Sequence, residues 1–220
     1  IRRQRQMCIR DSNLSNIYKL NGDLNYAENL VRKSLSLNPK SHIALNNLTG
    51  IFISKKQFLK AKEYALLALQ YDPNNSDYYY NLGLIYSNLN HFQDSIHSFK
   101  NALKYDRLNY GANLNLGAML LKLSQFEEAR KYLEIALSLK PESYESFVNL
   151  GQVALHTEKF KLSESFLLKS LSFCQNNTEI YKYLGIVQFM NSKNEAIDSI
   201  NKSIELNPVK NISNVLKKII

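Results

Sequence analysis

Apolar residues follow a helical spacing along most of this chain, and the stretch between residues 110 and 143 shows it most clearly. The first part of that stretch holds Leu114, Leu116, Leu120, Leu121 and Leu123, and the second part holds Ala129, Leu133, Ala136 and Leu137. Residues three or four positions apart share one face of a helix, so each part predicts an amphipathic helix. Only Ser124, Gln125 and Phe126 lie between them. A connection this short predicts an antiparallel helix hairpin.

The same hairpin pattern returns every 34 residues. The dipeptide Leu-Gly occurs at Leu82-Gly83, Leu116-Gly117, Leu150-Gly151 and Leu184-Gly185. A glycine inside a helix costs about 1 kcal/mol relative to alanine. Glycine in the same place of four helices therefore predicts a close contact between helices that offsets this cost.

Other positions repeat with the glycines. Small residues recur at Ala27, Ala61, Ser95, Ala129, Ser163 and Ala196, and again at Ser34, Ala68, Ala102, Ala136, Ser170 and Ser203. Proline follows the second helix at Pro39, Pro73, Pro141 and Pro208, where it stops a helix because it has no amide hydrogen to donate. The resulting units are 8–41, 42–75, 76–109, 110–143, 144–177 and a shorter sixth, 178–210.

A unit of this size cannot bury its own apolar face, so units of fixed period stack on their neighbours. The pattern therefore predicts an all-α solenoid of helix-turn-helix units over residues 12–210. It indicates a protein built to hold a partner along an extended surface.

These residues resemble the tetratricopeptide repeat family, whose pattern is an aromatic residue, Leu-Gly, Tyr, Ala, an aromatic or apolar residue, Ala and Pro in a 34-residue helix-turn-helix. The third unit matches almost throughout, with Tyr79, Leu82, Gly83, Tyr86, Phe92, Phe99 and Ala102. The resemblance covers about 200 residues and implies a right-handed superhelix with a concave groove. It says little about function, because one fold carries many functions.

Both ends of the chain depart from the repeat. Residues 1–11 begin with Ile1, place Asp11 where an apolar residue belongs, and resemble a translated sequencing adapter over residues 7–11. We expect this segment to be non-native or disordered. After Pro208, apolar residues recur at helical spacing within residues 211–220, which predicts either a capping helix or the start of a further region.

Composition narrows the classes of partner. The net charge is +9, of which residues 1–11 carry +3, and the remaining Lys and Arg are scattered rather than clustered with aromatic residues. This argues against nucleic-acid binding. No apolar run approaches the length of a membrane span. The two cysteines, Cys8 and Cys174, are isolated, which suits a reducing compartment such as the cytoplasm but does not fix the location.

No catalytic or metal-binding pattern is present. The four histidines, His42, His91, His97 and His156, occupy different places in their units. There is no paired-cysteine, zinc-protease, phosphate-loop or nucleophile-elbow motif. We therefore expect a chain that catalyses nothing itself and binds neither a cofactor nor a metal.

One polar position repeats in five units. The residue before the leucine of each Leu-Gly, or of its equivalent, is Asn13, Asn47, Asn81, Asn115 and Asn149, and the sixth unit has Tyr183. In the resembling family this position faces the groove, as it does in the repeat arm of protein O-linked N-acetylglucosamine transferases. A line of amides there could bind the backbone of an extended peptide, because an amide offers both donors and an acceptor. The alternative is that each asparagine bonds to the adjacent repeat and serves stability.

Further groove positions follow from the same resemblance. They are Tyr80, Leu114, Val148 and Lys182, with Leu121, Lys122, Leu155 and His156 further along the first helices. Family members that clamp a terminal carboxylate carry Lys one place before the asparagine, where this chain has Ser12, Asn46 and Tyr80 in its first three units. This argues against a receptor for chaperone tails.

The sequence therefore predicts a non-catalytic scaffold that binds an extended peptide or protein segment in its groove. A second hypothesis is the substrate-recruiting arm of a larger enzyme, such as a glycosyl-, sulfo- or methyltransferase, with the catalytic domain outside this sequence. A third is a module that associates with itself.

Overall fold

The computed structural model describes residues 10, 14–192 and 195–207, and all regular structure within them is helical. The helices are α1 (14–20), α2 (Leu24–Leu37), α3 (His42–Ser54), α4 (Phe58–Tyr71), α5 (Ser76–Asn88), α6 (Phe92–Tyr105), α7 (Tyr110–Lys122), α8 (Phe126–Leu139), α9 (Tyr144–His156), α10 (Phe160–Leu171), α11 (Thr178–Met190) and α12 (Ala196–Leu206). Odd-numbered helices are the first helices of the repeats, and even-numbered helices are the second. The predicted all-α solenoid of helix-turn-helix repeats is confirmed. None of the described helices combines the length and the apolar character that a membrane crossing requires.

The chain forms two compact segments, Ile1–Leu116 and Gly117–Ile220, and the division falls within α7. In the first segment, α3 packs against α2, α4 and α5, and α5 packs against α6. In the second, α9 packs against α8, α10 and α11, and α11 packs against α12. Within each segment these contacts join helices that are neighbours in sequence and first helices of consecutive repeats, as stacked repeats require.

The four repeated glycines allow the two helices of a hairpin to approach closely. A Cβ atom on Gly117 would lie 2.6 Å from Leu133 Cγ, and one on Gly151 would lie 2.9 Å from Leu167 Cγ. The facing residue comes 16 positions after the glycine in these two repeats, but Ile200 comes 15 after Gly185. The sixth repeat keeps the contact in spite of its missing residue.

Small residues of the second helices add hydrogen bonds across this contact. The hydroxyl of Ser95 donates to the carbonyl of Gly83 at 2.8 Å, and that of Ser163 donates to the carbonyl of Gly151 at 2.7 Å. Both serines are fully buried. Serine therefore replaces the alanine of other repeats without leaving its hydroxyl unpaired.

The turn within each hairpin has a shared geometry that the sequence pattern did not predict. Gly22, Lys56, Asn90, Ser124, Glu158 and Ser192 all have positive φ and follow each other at 34-residue intervals. In the second repeat, the amide of Lys56 donates to the carbonyl of Ile53 and that of Gln57 donates to the carbonyl of Phe52, at 2.9 and 2.8 Å. This pair of bonds is a Schellman motif, which ends a helix with one left-handed residue.

The first helices of repeats 2 to 6 begin with a side-chain cap. The cap residues are Ser41, Asn75, Asn109, Ser143 and Asn177. Each accepts a hydrogen bond from a backbone amide of the first turn, which satisfies a donor that the helix itself cannot pair. Among the second helices, only α2 has such a cap, from Asp23 to the amide of Tyr26.

Candidate peptide-binding groove

In the first segment, the predicted asparagines contact residues of the preceding repeat. The amide of Asn81 donates to Asn46 Oδ1 at 2.8 Å. The amide of Asn47 lies 3.5 Å from the hydroxyl of Ser15, and only 9% of Asn47 is exposed. These amides connect neighbouring first helices.

Asn115 is engaged in the same way, with an additional bond inside its own helix. Its amide donates to the carbonyl of Gly111 at 2.8 Å. Its side chain also meets Tyr80 of the preceding repeat: burial raises the pKa of the Tyr80 hydroxyl, and the hydrogen bond with Asn115 opposes this. A Cβ on Gly111 would lie 2.9 Å from the Tyr80 ring, so the glycine leaves room for that ring.

In the second segment, the first helices of three consecutive repeats line an open pocket of about 500 Å³. Five of its lining residues belong to the predicted groove set: Leu121, Lys122, Asn149, His156 and Tyr183. The others are Ala118, Ser124, Phe126, Gln152 and Glu179. Phe126 is the only lining residue from a described second helix, so the pocket lies on the face of the first helices.

Three polar side chains of this pocket have no hydrogen-bond partner within the described residues. Asn149, Gln152 and Tyr183 are half-buried, and their side chains make no hydrogen bond to the part of the chain that the structure describes. Burial raises the pKa of the Tyr183 hydroxyl, and the nearby Glu179 carboxylate adds to this effect. Like that of an ordinary tyrosine, the hydroxyl is protonated at neutral pH and can donate as well as accept.

The apolar surface of the pocket comes from Leu121 and from an aromatic stack. The ring of His156 lies parallel to that of Phe126, with centroids 5.2 Å apart and 9° between the planes. His156 is exposed, whereas Leu121 is only 8% exposed. The stack therefore gives the pocket an aromatic wall that a ligand side chain can contact.

The remaining predicted groove residues have varied environments. Val148 is 5% exposed, and Leu155 packs against the core cluster of Leu167, Leu184 and Val187. Lys182 is half-buried with its ammonium 4.8 Å from the centroid of the Tyr183 ring. Leu114 is also half-buried. Asn13 lies outside the described residues, as do 211–220 and nearly all of 1–11.

Sequence reasoning missed Gln152 and Phe126. Gln152 lies three residues after Asn149, one turn along the same helix face, and this spacing could have pointed to it. Phe126 was placed in the connection between the two helices and not in the groove. Its stacking on His156, 30 residues later, depends on how one repeat sits on the next.

The histidines take part in separate local contacts. His42 Nδ1 lies 2.7 Å from the hydroxyl of Tyr78, and His91 Nδ1 lies 3.6 Å from Asp94 Oδ2. Within the described residues no group of three or more His, Cys, Asp or Glu side chains is arranged to hold a metal ion.

Two family models, each described as a tetratricopeptide repeat, match residues 64–97 and 120–177. The chain belongs to the tetratricopeptide repeat (TPR) family. The second match includes most of the pocket, from Leu121 to His156. TPR chains are protein-interaction modules, and the partners of this one are therefore expected among proteins or peptides.

Comparison with a curated protein gives a partial match. The TPR chain is 36% identical over 78 residues to Protein O-mannosyl-transferase TMTC3 of Mus musculus, a match that covers 35% of this chain and 8% of that protein. The chain therefore corresponds to a small part of that relative.

Solved structures match over far more of the chain. PilF of Pseudomonas aeruginosa has a TM-score of 0.85 at 17% identity and covers 98% of each chain. PilW, a type IV pilus biogenesis factor, has a TM-score of 0.83 at 22% identity, over 96% of this chain and 99% of that one. YrrB, described as a TPR protein with an unusual peptide-binding site, has a TM-score of 0.70 at 21% identity, over 86% and 97%. At these sequence identities, the structural similarity establishes the fold alone.

Proposed function

We propose that this TPR chain is a non-catalytic scaffold that binds an extended peptide segment on the face formed by its first helices. The observation that carries the proposal is the open pocket of about 500 Å³, in which α9 places Asn149 and Gln152, and α11 places Tyr183, with side chains that have no hydrogen-bond partner in the described chain. Polar side chains at a pocket surface that are not bonded within the protein are available to a ligand, and a peptide backbone supplies both donors and acceptors. The peptide-binding site named for YrrB is a precedent on the same fold.

The expected affinity of backbone contacts alone is low. A net hydrogen bond contributes about 0.5–1.5 kcal/mol, and association with chain ordering costs several kcal/mol. A few such bonds therefore give binding near the millimolar range, which corresponds to about −4 kcal/mol. Tighter binding requires side-chain contacts, for which Leu121 and the Phe126–His156 stack offer the surface.

The test is selection of random 12-residue peptides displayed on phage, followed by fluorescence anisotropy with synthetic peptides. Gln152→Trp fills the pocket and should weaken a selected peptide at least tenfold. Gln175→Trp, on an exposed residue outside the pocket, is the matched control and should bind normally. Equal binding by both variants, or no peptide that binds better than its scrambled version, would contradict the proposal.

Self-association is the competing use of the same face. Light scattering of the free protein at the concentrations used for binding should give the monomer mass. A mass that rises with concentration, and falls when Gln152→Trp is introduced, would assign the pocket to a second copy of the chain.

A second candidate function is supported by the match to TMTC3, whose name makes it a glycosyltransferase. On this hypothesis the repeats recruit substrate for a catalytic domain encoded elsewhere in a longer protein. Sequencing the complete reading frame tests it directly. A frame that encodes only repeats would exclude it.

A further inference from the structure

The repeated asparagine does not have the same kind of side-chain contact in every repeat. In repeats 2 to 4 each amide contacts the preceding repeat: Asn47 lies against Ser15, Asn81 donates to Asn46, and Asn115 meets Tyr80. The side chain of Asn149 makes no hydrogen bond within the described residues. One repeated residue type therefore has two different environments.

The sequence position of the partner accounts for the difference. The partner of Asn81 is Asn46 and that of Asn115 is Tyr80, each 35 residues earlier. The residue 35 positions before Asn149 is Leu114, and the one before Tyr183 is Val148. Neither leucine nor valine can form a side-chain hydrogen bond. Asn149 and Tyr183 consequently have no polar side chain in the place that serves Asn81 and Asn115.

The pocket around Asn149 is close to electrically neutral. Its lining includes one cation, Lys122, and one anion, Glu179. The groups that lack partners in the described chain are two carboxamides and a phenol, and all three are neutral at physiological pH. Neutral donors and acceptors match the peptide group itself rather than a charged side chain.

We infer that Asn149, Gln152 and Tyr183 form the receptive part of the groove, where they bind the backbone of an extended, uncharged peptide segment, and that Asn47, Asn81 and Asn115 hold neighbouring repeats together. The inference rests on the proposed function. It adds that Asn149 binds the ligand and that the earlier asparagines stabilise the contacts between repeats. It also adds that the part of the ligand in the pocket carries no charge.

A peptide of known simple chemistry tests the ligand class. The probe is a 12-residue peptide of alternating Gly and Ser with one central Phe, acetylated and amidated at its ends, and titrated to about 10 mM against ¹⁵N-labelled protein. The side-chain amide signals of Asn149 and Gln152 should shift and approach saturation in the millimolar range. Versions with Glu or Lys in place of Phe should bind no more tightly than the Phe peptide. Shifts confined to Asn81 and Asn115, no shifts at any side-chain amide, or a clear gain from either charge would overturn the inference.

Thermal stability tests the division of roles without any ligand. Asn81→Ala leaves Asn46 without its donor, so we expect the melting temperature to fall by about 2–4 °C. Asn149→Ala should leave the melting temperature within about 1 °C, while it weakens the Phe peptide about five- to tenfold. Asn81→Ala should retain binding within about twofold. If both variants melt alike, or if Asn81→Ala weakens binding as much as Asn149→Ala, the division is wrong.

The two proposals fail in distinguishable ways. If phage-selected peptides bind in the pocket but the Gly-Ser peptide shifts no side-chain amide signal, the proposed scaffold function is supported and recognition of the peptide backbone is contradicted. If no peptide of either kind binds, both fall, whatever the melting temperatures show.

Discussion

At the scale of single residues, the hairpin turns place ordinary side chains in a conformation that favours glycine. Lys56, Asn90, Ser124, Glu158 and Ser192 have φ between 57° and 60°, and only the first repeat has glycine, Gly22, at this position. A left-handed conformation costs most residues about 1–2 kcal/mol, and asparagine less. In repeats 2 to 5 the strain is offset by the two backbone hydrogen bonds that close the first helix.

Glu158→Gly should therefore stabilise the protein by about 1 kcal/mol, because glycine adopts positive φ without a steric penalty. Asn90→Gly is the matched comparison and should gain less, since asparagine already tolerates this conformation. Urea unfolding of the two variants measures the difference. Destabilisation by Glu158→Gly would mean that the glutamate side chain contributes more than its backbone costs.

At the scale of helices, polar contacts between neighbouring repeats recur at one position. Lys55, at the end of α3, reaches back to Glu28 of α2 at 2.7 Å, and Asn191, after α11, donates to Glu164 of α10 at 2.9 Å. Both pairs are 27 residues apart in sequence. Arg130 takes the same register position in α8, and its buried Nε has no hydrogen-bond partner. Contacts between repeats thus vary in chemistry while the helix positions stay constant.

The Glu28 contact should make the first repeats sensitive to acid. Burial raises the pKa of Glu28, but the hydrogen bonds from Lys55 and Arg32 outweigh it, so that the pKa lies below its usual 4.5. A lowered folded-state pKa contributes stability at neutral pH that is lost as the pH falls through that pKa. Glu28→Gln should lower the unfolding free energy by about 1 kcal/mol at pH 7.

The difference between Glu28→Gln and the unaltered protein should shrink below about pH 4. Glu63→Gln, on an exposed residue of α4, should have little effect at either pH. Circular dichroism melts at pH 7 and pH 3.5 make the comparison. An effect of Glu28→Gln that is the same at both pH values would show that the carboxylate charge is not what stabilises the contact.

At the scale of the whole molecule, stability should decrease locally rather than everywhere when one repeat is disturbed, because each repeat contacts only its neighbours. α9 packs against α8, α10 and α11. Gly151→Leu would force a side chain into the space of Leu167, an overpacking cost of about 1–3 kcal/mol or more. The glycine is therefore the place from which to test how far a disturbance spreads.

Hydrogen exchange should show lost protection in α8 to α11 of Gly151→Leu and little change in α2 to α4. Gly50→Ala is the control, since a Cβ there would meet only the mobile end of Lys19, at 3.2 Å from its Nζ. That variant should be as stable as the unaltered protein or up to about 1 kcal/mol more stable. Equal loss of protection in every helix of Gly151→Leu would contradict the expectation that a disturbance reaches only the neighbouring repeats.

The sequence by itself determined the helices, their 34-residue period and the close contact at each repeated glycine. These features follow from residues that lie near each other along the chain. They are an apolar stripe that must be buried, a proline that ends a helix, and a glycine that is unfavourable in a helix unless a close contact between helices offsets its cost. The missing residue of the sixth repeat was equally visible, and Ile200 occupies the shifted place that it requires.

Only the tertiary structure decided which side chains meet across repeats. The five asparagines look alike in sequence, but the partners of Asn81 and Asn115, 35 residues earlier, differ in chemistry, being Asn46 and Tyr80. The Asn149 side chain has no partner among the described residues. The left-handed turns were hidden for a related reason, because lysine and glutamate adopt that backbone only where the surrounding hairpin imposes it. The short-range pattern fixes the scaffold, whereas the pocket around Asn149 depends on contacts between residues far apart in the chain.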